Sequence, residues 1–233
     1  MLRKNRKGVS LMTNMIVIII ILLVSAGVIA GLILLFKGPL EEKSLETACE
    51  ASVIGRVKTE INLGITNFQW TPVNCKTIPK EVKGERKSVK EALARKAVRC
   101  WQMFYEGREE KVLGDYNCFV CYLIDTGEIE GGAIPKTELI DYLNETKYYK
   151  SADYTYLSYI KEHGGEGYAL VLSDIKPKQL YGIAFLSKNG MYEFEGAIIL
   201  FTKSLIIIDS LDSIEKSCTI EYIWEENIWE ENK

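Results

Sequence analysis

Cysteines are the residues of this sequence with the clearest chemical potential. Cys118 and Cys121 have the Cys-x-x-Cys spacing of thiol oxidoreductases. Those enzymes place the pair at a helix N-terminus, where the helix dipole stabilises a thiolate. Here the pair lies in an apolar, strand-like run, and residues three apart in a strand point to opposite faces. We therefore predict that these cysteines form structural disulfides with separate partners.

The pairing of the cysteines stays open at this level. We expect Cys49 to bond Cys75, Cys100 to bond Cys118 or Cys121, and Cys218 to bond the remaining strand cysteine. A zinc site needs two close cysteine pairs, or one pair with two histidines, and the chain has one His. The sequence thus predicts no metal site and no cofactor. The candidate disulfide residues are Cys49, Cys75, Cys100, Cys118, Cys121 and Cys218.

Asp125-Thr126-Gly127 is similar to the catalytic turn of aspartic proteases, in which two carboxylates share one proton. A second copy is needed, and Asp209-Ser210 is followed by Leu211 instead of Gly. An Asx turn at the end of a strand explains Asp125 equally well. His163 precedes two glycines and is interpreted as a surface residue. We predict no catalytic residue and no enzymatic activity.

The charge of the chain is unevenly distributed. The 233 residues carry a net charge of −3, and 47% of them are hydrophobic. Residues 1–14 hold four cations and no acid, so removing those four positive charges leaves −7 on the remainder. The apolar fraction excludes global disorder. An acidic remainder without a basic block predicts that the chain does not bind nucleic acid.

An uncharged segment, Met15–Phe36, follows the basic stub. As a helix it would extend roughly 33 Å, enough to cross a bilayer core of about 30 Å. The positive-inside rule predicts a single-pass protein with residues 1–14 in the cytoplasm and the rest outside. An oxidising compartment agrees with the even number of cysteines. Asn144-Glu145-Thr146 is then a candidate N-glycosylation site.

Arg6-Lys7-Gly8-Val9-Ser10 before an apolar segment resembles the class III signal peptide of archaeal type IV pilin-like proteins. The resemblance covers about 30 residues and implies cleavage between Gly8 and Val9. Thr13 stands where bacterial pilins carry Glu. An ordinary signal anchor with a basic flank is the alternative interpretation.

Apolar periodicity predicts an amphipathic helix over Leu40–Leu63 and, after irregular residues 64–87, a second helix over 88–106 with a Ser88–Glu91 capping box. A strand over Tyr116–Ile124 and helices over 135–145 and 152–162 follow. Further strands are predicted over Tyr168–Leu172, Leu180–Leu186, Met191–Phe201, Leu205–Asp209 and Cys218–Trp224, with a hairpin turn at Asn189-Gly190.

Helices followed by consecutive strands predict an α+β fold with an antiparallel sheet. The predicted organisation is a cytoplasmic stub (1–14), a transmembrane helix (15–36), an extracytoplasmic domain (37–222) and an acidic tail (223–233) that repeats Ile-Trp-Glu-Glu-Asn.

These features predict a membrane-anchored structural or binding protein of the cell surface. Its partners would be the lipid bilayer and other copies of the chain, in a filament if the pilin resemblance holds. An anchored adhesin or sensor that binds a ligand is one alternative. An extracytoplasmic enzyme, either a thiol–disulfide oxidoreductase or an aspartic-type hydrolase, is the other.

Overall fold

The structure is a computed structural model, and the chain divides into two compact units, Met1–Ser44 and Leu45–Lys233. In the first unit, residues 23–25 and 41–44 are helical. The described residues are 23–25, 41–57, 73–108, 113, 118–162, 167–187, 191–194, 197–200, 203–215 and 218.

The predicted transmembrane helix over 15–36 is corrected by the structure. In the described part of the chain, no helix is both long and apolar enough to cross a membrane. The described helix over Arg86–Met103, which is 18 residues long, carries many charged side chains. Of the predicted span, only Leu23, Val24 and Ser25 are described, and the other residues lie outside the described part.

The predicted amphipathic helix is present as α1, which is helical over residues 41–57. Residues 58–63 of the prediction lie outside the described part. Three positions of the apolar stripe, Cys49, Val53 and Val57, are buried in the core of the second unit. The stripe therefore attaches α1 to the domain.

Strand β1 (Ile78–Glu85), helix α2 (Arg86–Met103) and strand β2 (Cys118–Glu130) form a crossover unit in which β1 and β2 are parallel. The sequence prediction of an irregular segment before α2 is wrong for β1. Pro79 argues against a strand in the sequence, because proline lacks the N–H that a central strand needs. Strand β1 is an edge strand, where the missing N–H is tolerated. The capping box is also wrong, because the N-cap is Glu85 and it makes no side-chain cap bond.

The other described elements follow the predicted order with shifted ends, except that the short last helix was not predicted. The predicted strand over Cys218–Trp224 lies outside the described residues apart from Cys218. Helices α3 and α4 come first, then strands β3 to β7 and helix α5. Their bounds are α3 (Lys136–Glu145), α4 (Tyr156–Glu162), β3 (Tyr168–Val171), β4 (Gln179–Leu186), β5 (Met191–Phe194), β6 (Ala197–Leu200), β7 (Leu205–Ser210) and α5 (Leu211–Ile214).

The main sheet has five strands in the order β1-β2-β4-β7-β3. Strand β4 runs antiparallel to β2 and β7, whereas the outer pairs β1–β2 and β3–β7 are parallel. The α+β class holds, but the predicted antiparallel sheet is wrong and the sheet is mixed. Parallel neighbours need a crossover connection, which α2 provides between β1 and β2.

The predicted hairpin between β4 and a single strand over Met191–Phe201 is also wrong. That segment forms two strands, β5 and β6, which pair with each other in a separate two-stranded sheet. Glu195 and Gly196 separate them in the sequence, and this Gly-containing pair is itself a turn signal. Residues 188–190, which contain the predicted turn, lie outside the described part.

The two faces of the main sheet bury different amounts of apolar surface. The larger cluster lies on the face that α2 covers and includes Trp101, Phe104 and Phe185. The smaller cluster lies on the other face and includes Leu186, Leu205 and Ile214 of α5.

Candidate functional site

The six cysteines form three disulfides, Cys49–Cys75, Cys100–Cys121 and Cys118–Cys218. The prediction of disulfide bonds is therefore confirmed. Cys118 and Cys121 bond to different partners on opposite faces of β2, since Cys118 belongs to the smaller apolar cluster and Cys121 to the larger. Neither is a free thiol in this structure, and the Cys-x-x-Cys pair is not itself a disulfide.

The two aspartates considered for acid–base chemistry are not neighbours. Asp125 lies in β2 opposite Leu180, and Asp209 lies in β7 opposite Gly182. Strand β4 separates the two strands, so the backbones are about 10 Å apart across the sheet, too far for two carboxylates to share a proton. Among the described residues, no three His, Cys, Asp or Glu side chains lie close enough to hold a metal ion.

Four further positions were singled out in the sequence, and the structure describes one of them. Asn144 is exposed in the last turn of α3, so the predicted glycosylation sequon is accessible. His163, and the predicted processing positions Gly8 and Val9, lie outside the described residues.

Helix α1 is held on the domain by three kinds of interaction, which we call the α1 clasp. The first is the buried apolar stripe of Cys49, Val53 and Val57. The second is the disulfide between Cys49 and Cys75. The third is a group of hydrogen bonds and ion pairs centred on Glu46. Because these interactions differ in chemistry, a change in one leaves the others in place.

The Glu46 carboxylate is buried and binds side chains of α2 and β2. Its Oε1 accepts a hydrogen bond from the Tyr122 hydroxyl at 2.6 Å and lies 3.2 Å from Lys96 Nζ. Its Oε2 accepts from Arg99 Nε at 2.9 Å, and Arg99 Nη1 also pairs with Glu50 at 2.7 Å. The Lys96 ammonium lies 4.7 Å from the centre of the Tyr122 ring. Glu46 therefore connects two elements of the domain.

Burial alone would raise the pKa of the Glu46 carboxyl, since it disfavours the charged form. The Tyr122 hydroxyl and the cations Lys96 and Arg99 act in the opposite direction and hold the pKa below its ordinary value. Glu46 is consequently ionised at neutral pH. A buried ion pair of this kind sets the position of a helix as much as it adds stability.

On another side of α2, tyrosines of α3, α4 and the segment between them pack together as a tyrosine cluster. Gln102 donates hydrogen bonds to the hydroxyls of Tyr148 at 3.1 Å and Tyr159 at 3.0 Å. The Tyr159 hydroxyl donates to Glu106 Oε1 at 2.7 Å. The cluster is formed by Tyr142, Tyr148, Tyr149, Tyr154, Tyr156 and Tyr159.

Glu106 reaches Tyr159 from an unusual turn. Tyr105, Glu106 and Gly107 have consecutive positive φ angles of 54°, 55° and 63°. Each non-glycine residue in this region costs about 1–2 kcal/mol, and such strain persists where the surroundings impose it. We call Tyr105–Gly107 the left-handed turn.

Trp101 explains the glycine of the left-handed turn. A Cβ at Gly107 would overlap the six-membered part of the Trp101 ring, and so would a Cβ at Gly167. The fully buried indole therefore lies between two glycines from separate segments of the chain.

Two exposed tyrosines lie beside cations. Tyr149 is 53% exposed, with Arg95 Cζ at 4.5 Å and Lys150 Nζ at 5.4 Å from its ring centre. Tyr168 is 44% exposed and also has two lysines beside its ring. These distances fit cation–π contacts, so both sites combine an aromatic face with positive charge.

Reasoning from the sequence predicted the apolar stripe and the Cys49–Cys75 disulfide of the α1 clasp, but it missed the interactions of Glu46 and the Glu106–Tyr159 contact. One signal was present: α1 carries Glu46 and Glu50 four apart, while α2 carries Lys96 and Arg99 three apart. Residues at these spacings share a helix face, so two helices with complementary charges could have been paired. No local signal marks Glu106, because its partner is distant in sequence.

Comparison with known proteins found no matching family model, curated protein or solved structure.

Proposed function

We propose that the chain is a structural subunit of an extracytoplasmic surface assembly, in which α1 fixes the position of the disulfide-bonded domain. The observation that carries this proposal is the α1 clasp. A helix that only completed a core would need its apolar stripe alone. Here a disulfide and a buried carboxylate also fix its rotation and its position along the axis.

Three disulfides support a site of action in an oxidising compartment outside the cytoplasm. The pilin-like motif belongs to the same proposal, because subunits of that kind assemble through their N-terminal segments. Its processing bond, between Gly8 and Val9, remains a prediction. The intact mass of protein isolated from a host with a prepilin peptidase measures whether residues 1–8 are lost.

Assembly of the purified full chain tests the proposal. By negative-stain electron microscopy and sedimentation, we expect regular polymers from the wild type. Glu46→Gln removes the buried charge that connects α1 to Lys96 and Arg99, so it should give irregular or shorter polymers. Glu50→Gln is the matched comparison, because that carboxylate lies on the same helix and also pairs with Arg99 but is 36% exposed, so its loss should change the polymers less.

Two outcomes contradict the proposal. One is a wild-type chain that stays monomeric at every concentration at which the domain is folded. The other is Glu46→Gln protein that polymerises with the same lengths and repeat as the wild type. Circular dichroism and a count of free thiols establish that each variant is folded and oxidised before assembly is measured.

Ligand binding is a second candidate function, and the exposed Tyr149 between Arg95 and Lys150 favours it. An aromatic face beside two cations suits an anionic sugar, so the probe is a uronic-acid oligosaccharide. Calorimetric titration should show binding that Tyr149→Ser weakens about tenfold, the upper end of what one aromatic contact contributes. Ile140→Ser, at another exposed apolar side chain, should leave it unchanged. Equal binding by both variants contradicts this candidate.

A further inference from the structure

The order of the three disulfides gives the domain a short covalent route between its ends. A chain that is pulled at both ends straightens along the shortest series of covalent bonds, through a disulfide wherever one shortens the route. The loop closed by the second bridge overlaps the loop closed by the third, because Cys118 precedes Cys121. The shortest route therefore crosses all three bridges, in the order Cys49–Cys75, Cys100–Cys121 and Cys118–Cys218.

We call this route the covalent path, and it contains little of the backbone. Between Cys49 and Cys218 it uses only residues 75–100 and 118–121. Fully extended, those residues would span up to about 100 Å. In a reduced chain the same two cysteines are 169 residues apart, which would span up to about 600 Å. The disulfides therefore keep most of the fold, including strands β3, β4 and β7, out of the path of tension.

The Cys-x-x-Cys spacing is the point where the covalent path crosses the main sheet. Cys121 belongs to the apolar cluster on the α2 face and Cys118 to the cluster on the other face, and both are buried. Strand β2 is paired with β1 on one side and with β4 on the other. Tension thus passes from one face to the other through three residue steps of an inner strand, which its neighbours hold in place.

A buried hydrogen bond joins the two parts of the covalent path directly. Thr77, two residues after Cys75, is 1% exposed, and its Oγ1 donates to the carbonyl oxygen of Val120 at 2.8 Å. Val120 lies between Cys118 and Cys121, and the parallel pairing of β1 with β2 starts directly after Thr77. In the folded domain, tension that enters at Cys75 therefore crosses this contact before it reaches the backbone of β1 and α2.

We propose that the domain bears tension between its ends and that the Thr77–Val120 contact is the point at which it yields. When this hydrogen bond and the β1–β2 pairing break, residues 75–100 straighten, and the three disulfides then stop further extension. The strands outside the covalent path carry no tension at any stage, so the extension is limited and reversible. This inference goes beyond the proposed assembly, because it is measured on single chains and holds whether or not they polymerise.

Stretching single oxidised chains in an optical trap, with handles at both ends, tests the proposal. We expect the domain to lengthen in one event by up to about 90 Å, the span of residues 75–100, and to repeat that event in every cycle of stretching and release. A reducing agent should add about 500 Å, because all residues between Cys49 and Cys218 then extend. Extension of the residues outside these two cysteines is common to every sample.

Thr77→Val tests the yield point, since it keeps the shape of the side chain and removes the hydroxyl. At constant force, the lifetime before the event should shorten about fivefold to tenfold, the factor expected for one buried hydrogen bond, with no change in length. Thr77→Ser keeps the hydroxyl and should restore the lifetime. Thr126→Val is the matched control, because that buried hydroxyl also donates to backbone oxygens, of Lys176 and Gln179, but lies outside the covalent path. It should leave the lifetime unchanged.

The route itself is tested by removing one bridge at a time. Cys118→Ser with Cys218→Ser should lengthen the domain by about 330 Å more, whereas Cys49→Ser with Cys75→Ser should add only about 90 Å. An absence of free thiols verifies that the remaining bridges of each variant have formed. Three results overturn the proposal: an oxidised chain that lengthens as far as a reduced one, equal shortening of the lifetime by Thr77→Val and Thr126→Val, or equal lengthening by the two pairs of serines.

Discussion

Helix α2 is held on two sides by different chemistry. Toward α1, the contacts are a buried carboxylate with two cations, and a disulfide anchors that helix. Toward α4, they are neutral hydrogen bonds from Gln102 to Tyr148 and Tyr159, together with packed rings. Charged contacts respond to acid and disulfides to reduction, whereas tyrosine hydroxyls respond to alkali. The contacts on the two sides of α2 should therefore be lost under different conditions.

The largest expected effect is on the α1 side. Replacing the Cys49–Cys75 disulfide with two serines opens a link of sequence separation 26. We expect the free energy of unfolding to fall by about 3–4 kcal/mol, from the chain entropy that the link removes. Urea denaturation measures the loss. Hydrogen exchange should show faster opening of α1 while the amides of α4 remain protected, and equal acceleration in both helices contradicts the separation of the two sides.

The next effect concerns the left-handed turn on the α4 side. Gly107→Ala places a methyl group against the Trp101 ring at a φ of +63°, and should cost about 2–3 kcal/mol. Gly132→Ala is the matched control, because its φ is +79° and nothing lies within 4 Å of the new Cβ. It should cost about 1 kcal/mol, from backbone strain alone. Equal losses would mean that Trp101 moves away without penalty.

These sites show what the sequence could and could not predict. Apolar periodicity located α1 and α2, because each has an apolar face of the right spacing over several turns, and a run of aromatic and β-branched residues located β2. It failed for β1, where Pro79 and Gly84 are typical of loops and only pairing with β2 makes a strand. It also failed for the order of the strands, since parallel pairing depends on where a connection returns the chain.

The candidate sites also divide into features that a local sequence rule predicts and features that depend on distant residues. Opposite orientation of Cys118 and Cys121 follows from strand geometry, and the structure agrees. The partners of Glu46 and Glu106 do not follow from any local rule, because each contact joins residues about fifty or more positions apart. A polar residue that becomes buried only through distant partners has the local pattern of a solvated surface residue.

Acid should weaken the α1 side specifically. The pKa of Glu46 is lowered in the folded state, so its stabilising contribution is fully present above its ordinary value of 4.5 and is lost as the pH falls through the lower folded value. Glu46→Gln should cost about 2 kcal/mol at pH 7. The difference between wild type and variant should shrink below pH 4.5, as followed by urea denaturation at each pH. A constant difference from pH 7 to pH 3 would contradict the assignment of the acid-sensitive group.

Alkali should weaken the opposite side, with the smallest expected effect. Burial raises the pKa of Tyr159 above its ordinary 10, and the carboxylate of Glu106 raises it further, against the hydrogen bond from Gln102. A raised folded pKa means that the contribution is complete below pH 10 and is lost as the pH rises toward the folded value. Tyr159→Phe removes this titration and should cost about 1 kcal/mol at pH 7, the value of a neutral hydrogen bond.

The comparison that isolates this effect is Tyr159→Phe against Tyr149→Phe, measured by urea denaturation between pH 7 and pH 11. The second variant removes a hydroxyl from the same cluster at an exposed ring, so its unfolding should follow the wild type at every pH. The difference in the free energy of unfolding between the wild type and Tyr159→Phe should shrink above pH 10 and stay constant in acid. The difference between the wild type and Glu46→Gln should behave in the opposite way, shrinking in acid. If both tyrosine variants change the loss of stability above pH 10 by the same amount, the pH response belongs to the cluster as a whole. The contact between Glu106 and Tyr159 is then not its source.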